Sequence, residues 1–230
     1  MIGILCWGED TATQKLAGVV WNPRTFKFPV RIKRVQGTNF ETIVKNPTLK
    51  TLRLLVKAAR ELEKERVSAI TTDCGFNAIW QRELSNSVKV PVFTSSLLLV
   101  PMIHRMIGKK KVGIITAHKI LLTNSHLKAV GINQAGVRIF GMERERGFLS
   151  AVSSKKGTLN LRKFETAVIG VARRAATQDP DTAAIVLECT DLSPFAGAIR
   201  RVTKLPVFDI VTLVNMVNSG TDREPTKQGV

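Results

Sequence analysis

The chain alternates short apolar runs with longer segments in which apolar residues recur every three or four positions. The runs fall at residues 2–7, 30–35, 69–72, 92–94, 112–116, 137–140, 184–187 and 207–209. Short, β-branched and without a polar face, they suit parallel strands covered on both sides. Between them, residues 49–65 set Leu52, Leu55, Val56, Ala59 and Leu62 on one stripe. Residues 161–177 do the same with Phe164, Val168, Val171, Ala172 and Ala175, the spacing of an amphipathic helix. Such alternation predicts an α/β fold with parallel sheets.

The pattern contains a repeat. Ala69-Ile70-Thr71-Thr72-Asp73-Cys74 is followed, seventeen residues beyond the cysteine, by Pro91-Val92-Phe93. Ala184-Ile185-Val186-Leu187-Glu188-Cys189 is followed at the same offset by Pro206-Val207-Phe208. The two copies lie 115 residues apart, each after a long amphipathic helix. We expect two similar α/β halves, residues 1–97 with 206–230 and residues 98–205.

In each copy an apolar strand runs into the cysteine and a helix is predicted to start after it, over residues 75–84 and 192–202. Ligands of open α/β sheets bind at the carboxyl ends of strands. A cysteine there also meets a helix N-terminus, which favours thiolate. Two facing halves would bring Cys74 and Cys189 to one cleft. Cys6, inside the first run and without a counterpart, is expected to be a small buried hydrophobe. Paired thiols suit proton transfer beside a carboxylate: one removes a weakly acidic proton from one face while the other supplies a proton to the opposite face. A free thiol titrates near about 8.5, so a helix end need lower it only modestly. Asp73 and Glu188 would oppose thiolate if they faced the sulfurs, or relay protons if suitably placed. Strand alternation would turn both away.

Composition narrows the setting. The chain has 230 residues, three cysteines and no segment long and apolar enough to span a bilayer. Its first residues lack the parts of a secretory signal, so reduced thiols in a cytoplasm are expected. Residues 221–230 are polar and expected to be disordered. The formal charge of +17 favours polyanions in general. The basic residues are scattered, however, and the chain has no tyrosine and no aromatics interleaved with them. We therefore expect a solvated basic surface that could steer an anionic substrate, and no dedicated nucleic-acid function.

Thr72-Asp73-Cys74-Gly75-Phe76-Asn77, and Leu187-Glu188-Cys189-Thr190-Asp191 followed by Pro206-Val207-Phe208-Asp209, resemble the two cysteine motifs of the aspartate/glutamate racemase superfamily. That group also contains hydantoin racemases, maleate isomerases and arylmalonate decarboxylases. The resemblance implies two flavodoxin-like halves with the active site between them. It implies catalysis without metal or pyridoxal phosphate, a small carboxylate-bearing substrate, no membrane partner, and a homodimer or higher homo-oligomer. By position, Cys74 and Cys189 would be the two acid–bases. Gly75, Phe76, Asn77, Thr190 and Asp191 would lie around the substrate carboxylate or its enolate. Thr94, Ser95, Ser96 and Thr116 reach the same carboxyl edge and could donate further hydrogen bonds, Ser95 or Ser96 alternatively capping a helix.

Some features depart from that group. Glutamate racemases have Asp-Ser where this chain has Cys6-Trp7-Gly8-Glu9-Asp10, and usually Thr-His in place of Thr190-Asp191. His104, His118 and His126 match no family position, and structural or solvent-facing roles are expected for them. Residues 21–26, rich in turn formers, are expected as a lid over the cleft, with Arg24 as carboxylate partner. The expected activity is a cofactor-independent racemase of an amino acid, hydantoin or related carboxylate. The alternatives are a maleate-type cis–trans isomerase or decarboxylase on the same fold, or a non-catalytic polyanion-binding module.

Overall fold

The computed structural model describes residues 1–9, 11–153 and 159–221. Four strands, β1 (Ile2–Trp7), β2 (Val30–Val35), β3 (Ala69–Thr72) and β4 (Val92–Phe93), form one sheet in the order β2-β1-β3-β4. Four more, β5 (Lys111–Thr116), β6 (Val137–Gly141), β7 (Thr182–Leu187) and β8 (Val207–Phe208), form a second in the order β6-β5-β7-β8. Every pairing is parallel. The fold is therefore α/β, two like halves with the same strand order. The halves match in detail: Ile70 N donates to the Pro91 carbonyl and Ile185 N to the Pro206 carbonyl, both at 2.9 Å. The recurring prolines thus mark the entry to the edge strand of each sheet.

Eight α-helices accompany the strands among the described residues: α1 (Leu49–Lys64), α2 (Gln81–Ser85), α3 (Val100–Ile107), α4 (Asn124–Ala129), α5 (Arg146–Ser153), α6 (Leu161–Thr177), α7 (Ala196–Thr203) and α8 (Ile210–Thr221). The two long ones form where their stripes predict them. On α1, Leu55, Ala59 and Leu62 are buried and the Thr48 hydroxyl accepts from Thr51 N. On α6, Phe164, Val168, Val171, Ala172 and Ala175 are buried and the Asn160 side chain accepts from Lys163 N at 2.9 Å.

The halves share a core. Ile2 and Ile4 of the first sheet, Val112, Ile114, Ala184 and Val186 of the second, and Ile210 and Val214 of α8 are all buried in one apolar cluster. At about 1.5–3 kcal/mol for each large side chain, such burial resists separation of the halves. Helices are exchanged across it: α3 packs on β5 and β7, while α8 packs on β3. Val207 and Phe208 hydrogen-bond to β7, so the strand within residues 206–230 belongs to the second sheet and only the helix after it returns to the first.

One buried bond ties the halves directly. The Ser96 hydroxyl donates to the Leu187 carbonyl at 2.7 Å, at the end of β7. The Ser96→Ala variant loses this bond and is expected to be less stable by about 1–3 kcal/mol. A lower urea midpoint with an unchanged denaturant slope would check it.

Candidate active site

Each of the paired cysteines stands where its strand has just ended. Asp73 N donates to the Leu5 carbonyl at 2.9 Å and Glu188 N to the Ile115 carbonyl at 2.8 Å, equivalent rungs of the two sheets. The chain then turns into 3-10 helices, Gly75–Trp80 after Cys74 and Thr190–Phe195 after Cys189. The helices expected at residues 75–84 and 192–202 thus open as tighter 3-10 turns and become α-helical only at Gln81 and Ala196. In each turn the N–H of the second residue beyond the cysteine, Phe76 or Asp191, points at that cysteine's sulfur.

The two turns interlock. The Thr190 hydroxyl donates to the Asp73 carbonyl across the cleft. Glu188 lies against Gly75: a Cβ there would sit 2.3 Å from both the Glu188 carbonyl oxygen and its Oε1. Only glycine lets the chains approach this closely. The segment after β1 reaches over as well. Thr13 Oγ1 donates to Asp191 Oδ1 at 2.8 Å, and Gly18, at φ +99°, brings the backbone against Pro194.

Cys74 and Cys189 line one cavity of about 340 Å³. Its aromatic walls are Trp7, Phe40, Phe76 and Phe148, with Leu149 and Val152 of α5 beside them. Its polar walls carry five carboxyl groups: Glu9, Asp73, Glu143, Glu188 and Asp191. No lysine or arginine lines it among the described residues.

Burial decides how these groups ionise. Asp73 Oδ2 accepts from Trp7 N at 2.8 Å, but its Oδ1 is buried without a partner. Desolvation, aided by the neighbouring Asp191 charge, pushes Asp73 up to about 8. Glu188 Oε2 accepts from Thr116 Oγ1 at 2.6 Å while Oε1 is unpartnered, and desolvation raises it to about 7. Asp191 rises to about 6 for the same reason, with the Thr13 bond opposing. Both thiols are raised well above their ordinary value by burial and then by carboxylates, Glu188 first for Cys74 and Asp191 first for Cys189. The N–H groups of Phe76 and Asp191 oppose this but do not outweigh it, so the expected lowering of the thiols by helix ends does not appear.

The profile of the Asp/Glu/Hydantoin racemase family matches residues 24–215. The chain belongs to this family. Among curated relatives, the dimethylsulfoniopropionate lyase of Durusdinium sp. clade D is 34% identical over 204 residues, 85% of this chain and 67% of that one. Dimethylsulfoniopropionate lyase 5 of Emiliania huxleyi (strain CCMP1516) is 29% identical over 177 residues, 73% of this chain and 35% of that one. The chain thus spans about two thirds of the first relative and about a third of the second. Among solved structures, an aspartate racemase homologue from Pyrococcus horikoshii OT3 shares the fold at a TM-score of 0.60 and 17% identity, covering 96% of this chain and 99% of that one.

In this racemase-family chain, Gly75, Phe76, Thr190 and Asp191 line the cavity with the two cysteines, whereas Asn77, Thr94, Ser95 and Thr116 do not. Thr94 bonds to Gln81 through both its N–H and its hydroxyl, Ser95 caps Leu97 N, and Asn77 is buried behind the 3-10 turn. Thr116 reaches the cavity only through Glu188. Asp73 and Glu188 face the cavity, against strand alternation, because β3 and β7 end at Thr72 and Leu187 and the turn swings both carboxyls inward. Arg24 is exposed in the 3-10 turn Pro23–Thr25, and neither it nor its neighbours line the cavity; α5 and the stretch holding Phe40 and Val44 do.

The remaining singled-out residues divide. Cys6 is buried in β1 as expected, its thiol raised by burial and by Asp73. His126 is buried edge-on against Phe76 and joins Thr123 in a capping box, and His104 lies beside Gly136 away from the cavity. His118 does line the cavity, with Nδ1 buried and unpartnered. Asp10 lies outside the described residues, as do Lys155, Lys156 and residues 222–230. Trp7, Phe40, Glu143, Phe148 and His118 carry no motif, so only assembly of the cavity could find them. Among the described residues no cluster of three or more His, Cys, Asp or Glu could hold a metal ion, and no helix is long and apolar enough to cross a membrane.

The raised carboxyls set a pH dependence. A carboxyl whose folded-state pKa exceeds its unfolded value supplies stability that is complete below the unfolded value and lost as pH rises through the folded one. With Asp73, Glu188 and Asp191 at about 8, 7 and 6, the protein is expected to lose melting temperature as pH climbs from 5 to 9. His126, lowered from 6.5 to about 4 by burial, works the other way: its contribution is lost as pH falls through 6.5 toward 4, so it opposes the decline only at the acid end of this window. Asp73→Asn should flatten the alkaline decline; melting curves equally steep in variant and parent would contradict it.

Proposed function

We propose that a cysteine thiolate of this chain removes the α-proton of a small carboxylate whose β-carbon carries a cationic leaving group, as in dimethylsulfoniopropionate. The supporting observation is the cavity itself, where two thiols sit among four aromatic rings and five carboxyl groups with no lysine or arginine among the described residues that line it. A simple anion would meet like charge there. A sulfonium head instead finds ring faces, worth about 0.5–2 kcal/mol each, and carboxylates to pair with. The similarity to dimethylsulfoniopropionate lyases supports the same substrate class.

The reaction is an elimination. The thiolate takes the α-proton, the C–H pair becomes the Cα=Cβ bond, and the Cβ–S pair leaves with sulfur as neutral dimethyl sulfide. The other product is acrylate. The first N–H groups of the two turns, at Gly75 and Thr190, are the donors proposed for the substrate carboxylate. The substrate's positive charge also lowers the thiols it lies beside, so binding itself generates the base. No redox group or external base enters this cofactor-independent scheme.

The second thiol favours one further reading. If the carbanion is protonated from the opposite face instead of expelling a leaving group, the same pair runs a racemase of an amino acid or hydantoin. The first step is shared, and the substrate's β-substituent decides the outcome.

Dimethyl sulfide in the headspace over protein and dimethylsulfoniopropionate tests the lyase, with α-proton exchange of amino acids and hydantoins in deuterated water as the racemase arm. Alanine at the cysteine serving as base should lower kcat/KM by about 10²–10⁴-fold. Full activity in both Cys74→Ala and Cys189→Ala, or neither sulfide release nor exchange with the parent chain, would sink the proposal.

A further inference from the structure

The elimination leaves a question the racemase does not face. In a racemase the second thiol gives back a proton, so the pair is reset by turnover in the reverse direction. In a lyase the captured proton has no product to join, and the thiol must lose it before another substrate can react.

We infer that Glu188 is the acceptor that takes this proton from the cavity thiol and re-forms the thiolate. The inference rests on the lyase reading above and on the placement of one side chain. Glu188 is fully buried, yet its carboxyl lines the cavity that both cysteines line. One oxygen is anchored by the Thr116 hydroxyl at 2.6 Å. The other, Oε1, has no hydrogen-bond partner and lies where a Gly75 Cβ would be, next to Cys74 in the chain, while Glu188 itself precedes Cys189. A carboxyl held at one oxygen and open at the other, in the cavity that both cysteines line, is oriented to receive a proton. The step balances: RSH and RCOO⁻ become RS⁻ and RCOOH, and the carboxylic acid then loses its proton to solvent through the cavity.

Its surroundings suit the exchange. Facing the site are Asp73 and Cys74 after β3, Cys189 and Asp191 after β7, Glu9 after β1, His118 after β5 and Glu143 after β6. Burial raises Glu188 to about 7 against the hydrogen bonds from Thr116 and the Ala117 N–H, so it can both accept and release a proton at physiological pH. Asp73 is less suited: its Oδ2 is held by the Trp7 N–H, and it rises to about 8, which slows proton release.

The test exploits two effects of opposite sign. Glu188 as a mere neighbouring charge hinders thiolate formation, so Glu188→Gln should make the cysteines more reactive toward iodoacetamide. As proton acceptor its loss should cut dimethyl sulfide production at least tenfold and abolish the rise of kcat with pH near neutrality. Added formate, small enough for the cavity, should restore part of the rate in Glu188→Gln and none in Cys→Ala variants. Thr116→Val, which keeps the carboxyl but removes its hydrogen bond, should move the rate limb to higher pH and guards against a variant that fails to fold. If Glu188→Gln produces sulfide as fast as the parent, or faster in step with its alkylation, the relay is overturned while the lyase stands. If the parent releases no dimethyl sulfide at all, the lyase reading fails and takes the relay with it.

Discussion

The site depends on the close approach of two chain turns, the one after β3 and the one after β7. Glu188 lies where any side chain at position 75 would have to go, and the Thr190 hydroxyl holds the Asp73 carbonyl from the other side. The sheets alone would place Cys74 and Cys189 at equivalent edges of two separate halves. The shared core, the exchange of α3 and α8 and the Ser96 bond to β7 bring those edges together, and the Gly75–Glu188 contact fixes how near they come. A single cavity with one cysteine from each repeat is the consequence.

The same approach sets the chemistry. Crowding three carboxyls and two thiols into a buried space makes every negative charge costly, so the thiols hold their protons and the carboxyls ionise only near neutrality, at about 6 to 8. This is an acidic pocket inside a chain of net charge +17. Among the described residues no lysine or arginine lines it, although the Arg34 charge is felt at Asp73; several cations form surface pairs such as Lys33 with Glu61, which contribute little to stability. The basic surface, expected to steer an anion, therefore does not carry its character into the cavity. On the proposed function, a ligand with a positive head would relieve the repulsion and free a thiolate in one event, coupling binding to activation.

Much of this was legible from the chain. The apolar runs predicted all eight strands, and the repeated Ala-Ile-x-x-acid-Cys with its Pro-Val-Phe predicted two like halves and paired their cysteines. What could not be read was three-dimensional. Period-two alternation placed Asp73 and Glu188 away from the sulfurs, and it fails because each strand stops one residue earlier than that argument requires. Thr94 and Ser95 were drawn to the site by their place after a strand, but Gln81 and Leu97 N, close in the fold, take their hydrogen bonds. Arg24 was chosen for its charge, yet the cavity holds no basic residue among those described. The aromatic wall, from Trp7 at the end of β1 to Phe148 on α5, has no local signature and exists only once distant segments meet.

The central claim is that a thiol of this cavity faces the α-carbon of a zwitterion held by rings and carboxylates. A crystal structure with 3-(trimethylammonio)propionate, whose amine leaves far less readily than a sulfide, tests it most directly. The account predicts the α-carbon between the sulfurs of Cys74 and Cys189, with the ammonium head against the aromatic wall and the carboxyl groups. A bound ligand whose α-carbon faces neither sulfur, or whose cationic head lies outside the cavity, would contradict it.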